Sequence, residues 1–586
     1  MFRTLTILML AGAAVGALGA CTTGPGGGPT AAAGPSAAAG VEARAPAITP
    51  DPDASAYGLF LAGETARDQG HLSAAAAYLA RAAAADGQPA YLRADAFSAA
   101  LQAGDVAAAA QLAAAAPGGA GAPLGLLVQG VEAMTEGKHK AAYALFTSPD
   151  MSYPPRTAAL LLAPYAAAGA GDDAQALVRP ALDADPISQF VADLDRAGLQ
   201  ERLGHRAEAE AGFKALMQSG DESGIVTHAY AGFLERHGRY PDAAALYKTR
   251  LAHNPDDDVA AAGLARADKH GRAPPLGTIR ESAAESLLIP SAALMAQKQE
   301  VLALEYLRLA LRLDPANDEA WLLVGELLAP ADLGGAREAY ASVEPGARSY
   351  VAARGKLAWT YQSAGDHDTA LKLARATAAA DPDSREAQGD LADLLRANDQ
   401  YSESAAVLTR LIDAPDAKPD WRLYYLRASA YEQIGDPAKT QDDLTTAMKL
   451  NPDEPELLNF QGYFWIERGE HLQEALGMIK RAVAAEPQSG EVIDSLGWAY
   501  YQLGDFKNAV ARLETAVTLD PGIAEVNDHL GDAYWRVGRK TEAAFQWRRV
   551  LSLDPDAKLK AGVERKLASP LGPDAPAVKP PALSTP

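Results

Sequence analysis

Apolar and small residues recur along this chain with a helical period, in units that repeat at a fixed distance. In the stretch 490–521 the landmarks are Leu496, Gly497, Tyr500, Ala509, Leu513, Ala516 and Pro521. In the next stretch they are Leu530, Gly531, Tyr534, Ala543, Trp547, Val550 and Pro555. Corresponding residues lie 34 positions apart, as Gly497 and Gly531 or Pro521 and Pro555 do. Apolar residues one helical turn apart share a face, so each unit predicts a pair of helices. Leucine and an aromatic give the first helix its inner face. Small residues beside that leucine and early in the second helix let the two backbones approach. A large and then a small apolar residue form the inner face of the second helix, and proline ends it. The turn between the helices recurs as Gly504-Asp505, Gly538-Arg539, Gly435-Asp436, Gly365-Asp366 and Gly238-Arg239.

The pattern persists toward the N-terminus. Gly462, Trp465, Ala475, Ile479, Ala482 and Pro487 make one unit, with one extra residue in its turn. Leu357, Ala358, Tyr361, Ala370 and Pro382 make another, and Trp321, Gly325, Leu328, Tyr340 and Pro345 a shortened one. Before residue 260 the units are looser: Ala231, Ala243 and Tyr247; Ala197, Ala209 and Phe213; Gly130, Ala142 and Phe146; Ala62, Ala74 and Tyr78. This series resembles the tetratricopeptide repeat over roughly residues 54–560 and predicts about 14 helical hairpins. The resemblance implies an all-α fold, a right-handed superhelical solenoid of helix-turn-helix hairpins. The 455–555 block looks like large repeat lipoproteins of alphaproteobacteria.

One segment interrupts the array, Gly271-Arg272-Ala273-Pro274-Pro275-Leu276-Gly277. It suggests two sub-arrays, 54–270 and 278–568, with a closing helix over Asp257–His270 and a new one over Thr278–Gln297 that contains Pro290. All seven tryptophans follow the break, so the halves differ in kind. A last helix over Asp556–Leu567 should cap the array, because a terminal repeat otherwise exposes its inner face. The tail 569–586 carries six prolines and reads as disordered or polyproline-like.

The N-terminus reads as an address. Arg3 precedes an apolar stretch, Leu5–Ala20, that is too short for a spanning helix and suits a secretory signal over 1–20. It ends in Leu18-Gly19-Ala20-Cys21, which resembles the bacterial lipobox; the resemblance implies lipidation of Cys21, the only cysteine of the chain. Each buried acyl methylene contributes about 0.8 kcal/mol of membrane affinity, so more than one chain anchors firmly. Thr22 rather than Asp after the cysteine favours the outer membrane, with the protein facing the periplasm. The Gly/Pro/Ala-rich 21–50 stretch reads as a flexible tether.

Composition narrows the function. The 586 residues exceed what one core usually supports, about 250–300, which favours a repeat array. Against 53 Lys and Arg stand 75 Asp and Glu, a net charge of −22 that would repel a nucleic-acid backbone. No disulfide can form within one chain, and no His-Glu-x-x-His, Gly-x-Ser-x-Gly or paired-cysteine motif is present. The sequence therefore points to a protein–protein scaffold rather than an enzyme, with no cofactor, no metal and no small-molecule substrate expected.

In this repeat family the groove is lined by first helices, and the resemblance assigns partner-binding positions. They are Tyr425; Glu456, Asn459 and Tyr463; Glu491, Asp494, Trp498 and Tyr501; and Glu525, Asp528, Asp532 and Trp535. That set is acidic and aromatic. Aromatics bury large areas at low entropic cost, and carboxylates beside them favour Lys or Arg on a partner. A clamp for a partner's C-terminal carboxylate would need cations at these positions instead. Other readings are a component of polysaccharide export or peptidoglycan regulation, and a carbohydrate-binding solenoid with aromatics stacked on sugars.

Overall fold

The computed structural model describes residues 54–568, apart from 85–88, 115–121, 183–184, 221–223, 256 and 416–417. The expected signal segment, Cys21, the tether and the proline-rich tail lie outside the described residues. All regular structure among the described residues is α-helix. The Gly-Asp turns show why that dipeptide recurs. Gly435 closes one helix in the left-handed region, at φ 81°, which costs least without a Cβ. Asp436 then caps the next helix by accepting from the Lys439 backbone N–H. Asp505 does the same for Asn508.

The small position of each first helix seats the large residue of the second. A Cβ added at Gly497 would lie 2.6 Å from the Leu513 side chain, and one at Gly462 2.6 Å from Ile479. Gly130 faces Phe146, Gly325 faces Tyr340 and Gly531 faces Trp547 in the same way. Each hairpin therefore closes on its own pair, and hairpins join through shared apolar residues. Leu513, Leu530, Tyr534, Trp547 and Val563 form one such buried cluster.

The chain divides into two compact units, the first ending at Leu373 and the second beginning at Ala374. The 271–277 segment lies inside the first unit, where Arg202 donates to the Gly277 carbonyl and, at 3.2 Å, to Ser282 Oγ. After it, Thr278 opens a helix with a reciprocal capping box to Glu281. The helix expected over Thr278–Gln297 is two helices, Ile279–Glu285 and Leu288–Ala296. Pro290 clashes with a carbonyl four residues back, which is that of Ser286, and the break falls there. Elsewhere in the first unit the helix Pro155–Gly169 is followed by one of a single turn, Asp173–Ala176.

The helix that follows Leu288–Ala296, Glu300–Leu313, is buried on nearly every side, with Leu304, Glu305, Tyr306, Leu307, Leu309, Leu311 and Leu313 all inside. A helix buried round most of its circumference is a core helix, and the charged Glu305, Arg308 and Arg312 on this one find partners inside the unit. The helix packs against first helices of much earlier hairpins, Ala90–Ala103 and Ala122–Thr135. Arg308 Nε donates to the Gln102 carbonyl at 3.0 Å, Arg312 pairs with both Glu132 oxygens at 2.8 and 2.7 Å, and the Tyr306 hydroxyl donates to the Pro154 carbonyl at 3.2 Å. In this unit the face lined by those first helices is filled by the chain itself.

Candidate functional site

In the second unit, the first helices Trp421–Ile434, Pro455–Arg468, Gly490–Gln502 and Ala524–Arg536 carry all the sequence-predicted binding residues. Tyr425 is half-buried, edge-on to Trp421 and Phe460 at 6.2 and 5.6 Å between ring centres. Burial, reinforced by Glu456 and Glu491, pushes its hydroxyl up to about 12. Asn459 is half-buried, and its side-chain carbonyl oxygen has no hydrogen-bond partner. Tyr463 is half-buried as well. Burial first, and then Glu467, Asp494, Glu525 and Glu432, hold its hydroxyl far above the usual phenol range. Carboxylates from four first helices thus converge on one phenol.

Trp498 stacks on Tyr501 at 4.6 Å and on His529 at 4.1 Å, and its indole N–H donates to Glu467. The Tyr501 hydroxyl accepts from Arg536 Nε at 3.1 Å. Trp535 lies 5.7 Å from Trp547, with the Lys540 ammonium 4.8 Å above its ring.

The carboxylates separate into two groups. Asp494, Asp528 and Asp532 are buried and have partners within the protein. Asp494 bonds His529 Nδ1 at 2.9 Å. Lys566 bonds both Asp528 oxygens at 2.7 and 2.8 Å and Asp532 at 2.8 Å. Trp547 Nε1 donates to Asp532 at 3.1 Å. Burial opposes charging of His529, but Asp494, with Asp528 and Asp532 behind it, outweighs that and raises the imidazole to about 9. Burial raises the Asp532 carboxyl against the pull of Lys566.

Glu456, Glu491 and Glu525 form the second group. They are exposed and make no ion pair among the described residues. Each has its carboxyl raised, first by surrounding protein and then by other acids: Glu454 and Glu486 at Glu456, Asp494 and Asp520 at Glu491, Asp556 and Asp494 at Glu525. Glu491 also raises Glu456, and Glu525 raises Glu491, so the three form a ladder of mutually repelling charges along successive first helices.

Sequence reasoning did not find His529 and Lys566, the cations that engage the buried aspartates, or Glu432 and Glu467. A signal was available. Adjacent first helices meet at separations of 34 to 38 residues, as Lys566–Asp532 and Lys566–Asp528 do, so opposite charges at that spacing are pairing candidates. Among the described residues no group of three His, Cys, Asp or Glu side chains is placed to hold a metal ion, and no helix is long and apolar enough to cross a membrane.

Helical hairpins that recur along the chain, closed at Gly130, Gly325, Gly462, Gly497 and Gly531 by a small-on-large contact and stacked through shared clusters, define a helical repeat array. Tetratricopeptide-repeat family models match residues 361–429, 422–454 and 495–558. Those segments carry tetratricopeptide repeats, and arrays of such repeats act as protein–protein interaction scaffolds and are typically non-catalytic. The chain is 30% identical over 119 residues to the TPR repeat-containing protein PA4667 of Pseudomonas aeruginosa, a match that spans 20% of this chain and 20% of that relative. Similar solved structures include the Cut9–Hcn1 hetero-tetramer of APC/C, at 15% identity and a TM-score of 0.38 over 88% of this chain and 96% of that one. A tetratricopeptide repeat protein from Parabacteroides merdae is 16% identical, with a TM-score of 0.33 over 49% of this chain and 97% of its own. MamA from Desulfovibrio magneticus is 24% identical, with a TM-score of 0.24 over 28% and 97%.

Proposed function

We propose that the chain is a scaffold of the bacterial cell envelope, tethered by a lipid on Cys21, whose second unit takes a basic protein segment across its first helices. The observation that carries the binding part is the unpaired ladder Glu456–Glu491–Glu525 beside Tyr425 and Tyr463. Like charges held together raise the cost of one another's ionisation, and a cationic segment laid along them relieves that repulsion. The half-buried aromatics supply apolar area beside the charges. The filled first-helix face of the first unit is consistent with placing the binding surface in the second. Trp498 already stacks on Tyr501 and His529, which leaves it less free to stack on a sugar. The tether and the outer-membrane location rest on Leu18-Gly19-Ala20-Cys21 after the apolar stretch.

The test is photo-crosslinking from Glu491 and Tyr463 in intact envelopes, with Cys21→Ala as the control for location. Capture of a defined set of envelope proteins, lost when Glu456, Glu491 and Glu525 are changed together to Lys, is the expected result. An unchanged set in the charge-reversed protein rejects the groove. Continued membrane fractionation of Cys21→Ala rejects the tether.

A further inference from the structure

Asp528 and Asp532 stand one turn apart on helix Ala524–Arg536 and are 8% and 6% exposed. Two carboxylates so placed repel each other, and burial raises the cost of their charge. The Trp547 N–H orients Asp532 from below, and the remaining demand is for a compact cation between the two. An ammonium meets that demand better than a planar guanidinium, because it donates in three directions from one point. Lys566 supplies it, with contacts of 2.7 to 2.8 Å.

The helix that delivers Lys566, Ala557–Ala568, is weakly held. Val563 is its one buried residue, with Leu559 and Leu567 half-buried against the same cluster. The preceding first helix, Ala524–Arg536, buries eight residues by comparison. Segments with few buried apolar contacts open locally at low cost. Lys558, on the same helix, also bears electrostatically on exposed Glu432 of the Trp421–Ile434 helix. The last helix therefore sets two cations against the acidic face that the exposed glutamates continue.

The geometry points to a lysine socket, Asp528 with Asp532, that helix Ala557–Ala568 fills in cis and that a lysine-bearing segment of a partner takes over by displacing that helix. This rests on the reading that the second unit binds basic segments, and it adds which residue type is recognised most deeply and what must move. The apparent affinity for a partner is then reduced by the fraction of molecules in which the helix stays docked.

The experiment measures binding of a fluorescent pentalysine peptide to the full chain, with hydrogen exchange over 557–568 read with and without peptide. Two variants loosen the helix by different routes, Lys566→Gln by removing the internal cation and Val563→Ala by thinning its packing. Both should bind pentalysine about tenfold more tightly than the unaltered chain. Peptide should accelerate exchange over 557–568 in the unaltered chain. Adding Asp528→Asn to Val563→Ala should cancel the gain. Unchanged affinity in both variants, with exchange over 557–568 unmoved by peptide, overturns the displacement and leaves the helix a fixed cap. A gain that survives Asp528→Asn overturns the socket. The glutamate ladder is judged separately by the triple Lys variant, and loss of pentalysine binding there keeps the groove even where the socket fails. Absence of binding to every form removes both.

Discussion

Gly531 and Trp547 meet so closely that a Cβ on the glycine would lie 2.5 Å from the indole Nε1. The same indole N–H reaches past the glycine to Asp532 at 3.1 Å. Trp547 is fully buried, so it has no room to retreat. Gly531→Ala should destabilise the second unit by about 1–3 kcal/mol through overpacking. Gly477 also lies inside a helix, Leu472–Ala485, but meets nothing within 4 Å. Gly477→Ala should therefore stabilise, by about 0.5–1 kcal/mol, through the lower backbone entropy of the unfolded chain. Urea titrations followed by tryptophan fluorescence separate the two, and equal effects would show that the close approach is unimportant.

His529 should titrate near 9, against an ordinary value of 6.5. Its folded value is raised, so its contribution to stability is full below about 6.5 and is lost as pH rises through about 9. Across that window the last repeats should weaken by an amount on the order of 3 kcal/mol. NMR titration of the imidazole, with hydrogen exchange over 490–536 at pH 6.5 and 9.5, checks this. Asp494→Asn removes the largest favourable partner and should bring the titration well below 9. An imidazole that titrates near 6.5 in the unaltered protein would break the argument.

Glu305 sits inside the first unit at 5% exposure, with Gln102 as its hydrogen-bond partner, and burial pushes its carboxyl up to about 7. A raised folded value means that its neutral form suits the fold. The stability it allows is complete below about 4.5 and declines as pH rises through about 7. Glu305→Gln keeps the shape and never ionises, so it should stabilise the first unit at pH 8 by roughly 3 kcal/mol and have little effect at pH 4.5. Thermal melts at the two pH values read the difference. Destabilisation at pH 8 would mean that the carboxylate is charged and paired in solution.

Binding of a basic segment to the exposed ladder should be strongly salt-dependent, since exposed charges are screened within about 8 Å at physiological ionic strength. The change Glu456, Glu491 and Glu525 to Lys should reduce pentalysine binding at least tenfold, equivalent to about 1.4 kcal/mol or more. Fluorescence anisotropy at low and high salt tests it. Salt-insensitive binding would favour apolar or sugar-like recognition through the aromatics.

Local rules wrote much of this protein openly. The landmarks at Gly497, Leu513 and Pro521 recur 34 residues on because one helical hairpin is the repeating unit, and the structure keeps both helices of that unit. The Gly-Asp turns and the helices Asp258–Asp268 and Ala557–Ala568 were equally legible, because caps and breakers act within a few residues. The repeat pattern also put every residue of the candidate binding set on a first helix of the second unit.

Tertiary structure alone decided which of those carboxylates remain open. Asp494, Asp528 and Asp532 look like Glu456, Glu491 and Glu525 in the sequence, but the first three lie against His529 and Lys566 and the others do not. It also decided that Glu300–Leu313 would fill the first-helix face of the first unit, through contacts such as Arg308 to Gln102 across 206 residues. Helical period and turn chemistry specify an element and its nearest neighbour. Contacts between distant segments depend on how small rotations accumulate over many hairpins, and no single repeat carries that sum.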